Sequence, residues 1–163
     1  MSKASKRLQT ELRNIKKKPL EGVDASPSKD GDLMRWDAFI DGPSGTPFEG
    51  GKFKLEITFT DDYPIVPPNV KFKTPSIYHP NIDPHGGICI SILKNEHWSP
   101  ACTIQQLLLS ISSLMAEPNA SDPLNGSAGR DYSGNREKYD EIVKENTKKH
   151  AMGNNDEQEK EEI

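Results

Sequence analysis

Phe53-Lys54-Leu55-Glu56-Ile57-Thr58-Phe59-Thr60 alternates strictly between apolar and polar side chains. A period of two places Phe53, Leu55, Ile57 and Phe59 on one side of an extended chain, which predicts a strand with one face in a core and the other in water. Toward the N-terminus, Met34, Trp36, Ala38 and Ile40 alternate with more polar neighbours in the same way; toward the C-terminus, Val70 and Phe72 suggest a further strand. The turn-forming stretches Asp41-Gly42-Pro43-Ser44-Gly45 and Asp61-Asp62-Tyr63-Pro64 separate them. Half-buried strands joined by turns assemble most simply as an antiparallel meander.

The flanks of this sheet read as helices. Leu8, Leu12 and Ile15 recur at helical spacing among charged residues, and Pro19 marks the end of that helix. Thr103 and Gln106 have the spacing of a capping box and introduce Ile104, Leu107, Leu108, Ile111, Leu114 and Met115, the apolar pattern of the main buried helix, which Pro118 closes. A short, weak helix is expected within Asn125 to Tyr132, and Tyr139, Ile142 and Val143 mark an amphipathic helix ending near Met152. Helix, meander, long loop and helices in that order predict an α+β fold, with one sheet face covered by the central helix and no βαβ alternation.

The chain has 163 residues, enough for one domain with a real core. The reading divides it into a core over 1–152 and an acidic, disordered tail over 153–163, which has little to bury. Lys3, Lys6, Arg7, Arg13, Lys16, Lys17 and Lys18 face only Glu11 at the start, whereas Asp156, Glu157, Glu159, Glu161 and Glu162 crowd the end. No aromatic-interleaved or finger motif accompanies the basic start, so a protein partner is expected there and nucleic acid is not; a solvated helix face explains the charges equally well. No apolar run suits a membrane span or a secretory signal, so no membrane partner and a cytoplasmic and/or nuclear location are expected. The sequons at Asn119 and Asn125 then meet no glycosylating compartment. Only Cys89 and Cys102 are present, compatible with reduced thiols.

Two chemistries can be set aside. Gly45 to Lys52 superficially suggests a phosphate loop, but its spacing is one residue too long, Phe53 replaces the required Ser or Thr, and a strand follows. His79, His85, Cys89, His97 and Cys102 lie close in sequence, yet their spacings match no common zinc pattern, so no metal is expected. From Pro75 to Pro100 periodicity vanishes, and a long irregular loop inside a small domain is often functional. Within it, Gly86-Gly87-Ile88-Cys89-Ile90-Ser91 follows His79-Pro80-Asn81. Taken locally, Cys89 reads first as a small buried hydrophobe between isoleucines. Gly86 and Gly87 would let the backbone approach a partner closely, and the turns could hold Asn81 near the thiol, so Cys89 is also a possible nucleophile.

Several separated motifs stand in one order: Tyr63-Pro64 with Pro67-Pro68; Tyr78-His79-Pro80-Asn81; Cys89 eight residues after that asparagine; Trp98-Ser99-Pro100-Ala101; and Glu117-Pro118-Asn119 followed by Asp122-Pro123-Leu124. On these the chain resembles the ubiquitin-conjugating enzymes from about Lys3 to Met152. The resemblance implies a helix, a four-stranded antiparallel meander, a long active-site loop, a central helix and C-terminal helices. It implies an acyltransferase in which Cys89 takes ubiquitin as a thioester from an activating enzyme and passes it to a substrate lysine with a ubiquitin ligase. No cofactor is implied, because ATP is used by the activating enzyme. Asn81 would donate to the oxyanion or order the loop. Asp122, expected to be partly desolvated, would orient the lysine and favour loss of its proton, with a turn or helix cap before Pro123 as the lesser alternative. Tyr78, His79 and Pro80 would shape the loop. Lys6 and Arg7 would meet the activating enzyme and ligases, with Ile65, Pro100 and Ala101 as the apolar ligase platform; an isolated surface isoleucine is common enough to explain Ile65.

The chain departs from the family pattern at three places. Ser91 stands where many ubiquitin-type members carry aspartate, which bears on lysine positioning and opens control by phosphorylation. Ile65 replaces an aromatic found in members that serve thioester-forming ligases, which favours ligases of the RING type. The Leu93 to Trp98 loop is one residue longer than in the shortest members, and a longer loop and a serine at this place also occur in the SUMO-conjugating branch. That branch is strongly basic, whereas this core is nearly neutral, so ubiquitin is the expected modifier and SUMO the alternative. Inactive relatives lack the cysteine, which argues against a mere binding module. A monomer is expected.

Overall fold

The computed structural model describes residues 2–153. The expected tail from 154 onward lies outside the described residues. The chain runs α1 (Lys3–Lys17), β1 (Val23–Pro27), β2 (Arg35–Asp41), β3 (Lys52–Thr58), β4 (Asn69–Phe72), a 3-10 turn (Ser91–Leu93), α2 (Ile104–Ala116), α3 (Gly126–Gly134) and α4 (Arg136–His150). The four strands form one antiparallel sheet in sequential order.

Register explains the alternation seen in the sequence. Ala25, Ala38, Leu55 and Phe72 stand side by side across the sheet, and so do Pro27, Trp36, Ile57 and Val70. From β2 to β4 these inward positions are buried, while Asp37, Lys54 and Glu56 on the opposite face keep partial access to solvent. Each fully buried Ile40, Leu55 or Ile57 contributes roughly 1.5–3 kcal/mol by leaving water. Strand β1 was not among the strands read from alternation. Its sequence Val-Asp-Ala-Ser-Pro has only Ala25 fully buried, too weak a pattern to register.

Helix α2 packs against β1 and β2, and α1 against β1. The expected capping box is present: the Thr103 hydroxyl accepts from Gln106 N–H, and the Gln106 side chain accepts from Thr103 N–H. Lys18 N–H bonds Asn14 O just past the end of α1, before Pro19. Helix α3 packs on α4 and is capped by the Asn125 side chain, which accepts from Ala128 N–H. A sheet covered on one side thus leaves the segment between β4 and α2 to run along its edge.

Candidate active site

The loop after β4 is built on a buried turn. His79 is fully enclosed, with Nε2 2.7 Å from Leu114 O in α2 and Nδ1 2.9 Å from Asn81 N. A carbonyl can only accept and an amide N–H can only donate, so the ring is the neutral tautomer protonated on Nε2. Burial pushes its pKa down to about 4, partly opposed by the bond to Leu114. Tyr78 extends this anchor, donating its hydroxyl to Asp131 of α3; burial and that carboxylate push the phenol up to about 12.

Asn81 continues the turn. Its Nδ2 donates to Asn119 O at 2.7 Å while its Oδ1 accepts Asn119 N–H at 2.8 Å, and the side chain is buried. Pro80 O accepts Asn125 N–H at 3.0 Å. The His79-Pro80-Asn81 turn therefore holds both ends of the segment from Asn119 to Asn125. Its main chain also fixes the backbone at Cys89, because Asn81 O accepts Cys89 N–H at 2.9 Å.

The chain between Asn81 and Cys89 is pinned from the other side. Phe72 N–H donates to Gly86 O at 2.9 Å, and Asp83 Oδ1 accepts from both His85 N–H and Gly87 N–H. Gly86 has φ +91° and a Cβ there would lie 2.1 Å from Phe72 O, so only glycine fits. The close approach expected of this glycine pair is thus to the protein's own β4 and to Asp83, not to a partner. An open groove of about 560 Å³ beside this segment is lined by Pro68, Lys71, Asp83, His85, Ile88 and Leu93.

Cys89 is half-exposed, not the buried hydrophobe that its isoleucine neighbours suggest. Ser91 opens the 3-10 turn just after it and is exposed. Asp122 is exposed too, without a hydrogen bond or ion pair among the described residues. The expected partial desolvation of this carboxylate is therefore corrected: Asp122 points into solvent although Ser121 beside it bonds the Asn119 side chain. The helix-cap alternative falls, since Asn125 caps α3, while Asp122 follows a turn at residues 120–121.

The residues assigned to partner binding gather elsewhere, around the N-terminal end of α2. Lys6, Pro100 and Ala101 are exposed, and Ile65 stands 72% exposed. Trp98 Nε1 donates to Pro64 O at 2.8 Å, bringing the Ile65 turn alongside the Pro100-Ala101 loop. Arg7 behaves differently: its guanidinium donates to Pro100 O (2.8 Å), Cys102 O (3.1 Å) and Glu11 Oε2 (3.1 Å). Glu11 itself is buried, which its charge concealed in the sequence; the signal available was its place one turn after Leu8 and one turn before Ile15. Among the described residues no cluster of His, Cys, Asp or Glu is suited to a metal ion.

Compared with models of known protein families, residues 7–147 match the model described as ubiquitin-conjugating enzyme.

Proposed function

The chain belongs to the ubiquitin-conjugating enzyme family, and on that premise we propose that it carries ubiquitin as a thioester on Cys89 and transfers it to a substrate lysine. Membership makes it a transferase of the conjugation pathway, working with ubiquitin or a ubiquitin-like modifier, an activating enzyme and ligases. The observation that carries the finer reading is the setting of Cys89: a half-exposed thiol whose backbone is bonded to Asn81 on a loop anchored through buried His79. A nucleophile that must meet two large partners in turn needs that access.

In the first step the Cys89 thiolate attacks the modifier's C-terminal carbonyl on the activating enzyme. A new C–S bond forms, the old one breaks, and the activating enzyme's thiolate leaves. In the second step the lysine amine attacks the Cys89 thioester, the tetrahedral oxyanion collapses, and Cys89 thiolate departs as the isopeptide forms; the amine proton passes to a base. Asp122, on its exposed segment, is the carboxylate offered for that proton and for orienting the amine. Asn81 has one Nδ2 hydrogen left after bonding Asn119 O. Its two bonds to Asn119 favour the loop-ordering role, and the remaining hydrogen is the one available to an oxyanion.

The nearly neutral core favours ubiquitin over SUMO, and exposed Ile65 beside Pro100 and Ala101 suits a ligase of the RING type. The test is incubation with ATP, an activating enzyme and either ubiquitin or SUMO, followed by a non-reducing gel. A reducible ubiquitin adduct is expected, absent in Cys89→Ala and resistant to reductant in Cys89→Ser. No adduct with either modifier would sink the carrier reading.

A further inference from the structure

The most enclosed carboxylate in the described chain has no part in the chemistry at Cys89. Glu11 is 3% exposed. Its Oε1 accepts the N–H of Ile104, the first residue of α2, at 2.6 Å. Its Oε2 accepts the Tyr63 hydroxyl and Arg7 Nε. The negative charge thus sits at a helix N-terminus, beside a guanidinium, with both oxygens engaged.

Taken together, these bonds join three segments. Glu11 belongs to α1, Tyr63 to the turn bearing Ile65, and Ile104 to the helix that follows Pro100 and Ala101. Arg7 repeats the connection, reaching from α1 to Pro100 O and Cys102 O, and Trp98 Nε1 closes the circuit to Pro64 O. Every exposed apolar residue assigned to the ligase platform therefore lies within three residues of an atom in this network. Ion pairs withdrawn from water are poor sources of net stability, because desolvation offsets much of the attraction. What a carboxylate supplies that a leucine would not is several directional bonds, which fix the mutual placement of the segments.

We propose that Glu11 is the positioning residue of the ligase-docking surface. It holds α1, the Ile65 turn and the Pro100-Ala101 loop in one arrangement, so that a ligase meets a preformed platform. Arg7 serves the same surface from beneath, through its bonds to Pro100 and Cys102, as much as through any contact of its own. Preforming the surface lowers the ordering entropy of docking and leaves the thioester chemistry untouched. The inference rests on the ligase-platform reading of Ile65, Pro100 and Ala101.

The test uses the full chain charged with ubiquitin, discharged to free lysine over a titration of a RING ligase domain. Glu11→Gln should raise the half-saturating ligase concentration about tenfold, with the rate at saturation and the ligase-free rate unchanged. Tyr63→Phe, which removes one bond and keeps the packing, should raise it about threefold and keeps the test open if Glu11→Gln does not fold. A merely structural role would lower all rates together and leave half-saturation where it was; that result overturns the inference. Ile65→Ala separates the two levels. If Ile65→Ala raises half-saturation while Glu11→Gln and Tyr63→Phe do not, the positioning role falls and the platform stands. If Ile65→Ala has no effect, the platform itself falls.

Discussion

Cys89 and Cys102 lie close in sequence and in opposite settings. Cys102 is buried just before α2, where burial and the nearby Glu11 carboxylate raise its pKa. Cys89 is half-exposed on an irregular segment, its backbone bonded to Asn81. Burial and a neighbouring negative charge both disfavour thiolate at Cys102, whereas Cys89 stands within reach of a partner. The difference teaches how the framework separates the two thiols: His79 and Asn81 are buried, while Cys89, bonded through its backbone to Asn81, keeps access to solvent.

The sharpest way to break the comparison is to exchange the fates of the two thiols. Cys89→Ala should abolish the reducible ubiquitin adduct entirely, whereas Cys102→Ala should charge at the normal rate and lose about 1–2 kcal/mol in urea unfolding. An adduct that depends on Cys102 would reverse the assignment. Native alkylation offers a milder version: an uncharged thiol probe should label Cys89 well before Cys102, with mass spectrometry reading the sites.

The framework beneath Cys89 should reveal itself through pH. His79 has a folded-state pKa of about 4 against an ordinary 6.5, so the unfolded chain binds the proton first. Its stabilising contribution is complete above about pH 6.5 and drains as pH falls toward 4, at about 1.4 kcal/mol per unit. Chemical denaturation across that window should show the slope, and His79→Gln should flatten it. The smallest effect is expected at the exposed rim: Asp122→Ala should charge normally and discharge to free lysine about tenfold more slowly, a barrier change of about 1.4 kcal/mol. Equal discharge rates would remove Asp122 from the mechanism.

How far the sequence could be read followed the strength of local signals. The alternation of β2 and β3 and the Thr103–Gln106 capping box were legible because each is a short-range pattern with one physical cause. Strand β1 was not, since a single buried Ala25 between polar residues carries no period. At the site, the separated motifs pointed to Cys89, Asn81 and Asp122, yet the immediate neighbours of Cys89 suggested burial. Its exposure is set by distant bonds, from Phe72 to Gly86 and from Cys89 to Asn81, which no local window contains. Glu11 was hidden for the same reason: its partners come from Tyr63 and Ile104. The setting of Asp122 likewise depends on distant bonds, from Asn119 to Asn81 and from Asn125 to Pro80.

Those three bonds, two between Asn119 and the Asn81 side chain and one from Asn125 N–H to Pro80 O, turn the stretch between them into a closed span. In the proposed transfer step, a carboxylate on such a span would act as a tethered reagent. It can sample only a small volume, so its local concentration is high even though nothing grips the side chain, and little translational freedom is left to lose when an amine arrives. Lengthening the span by a few glycines would dilute that reagent while leaving its chemistry intact.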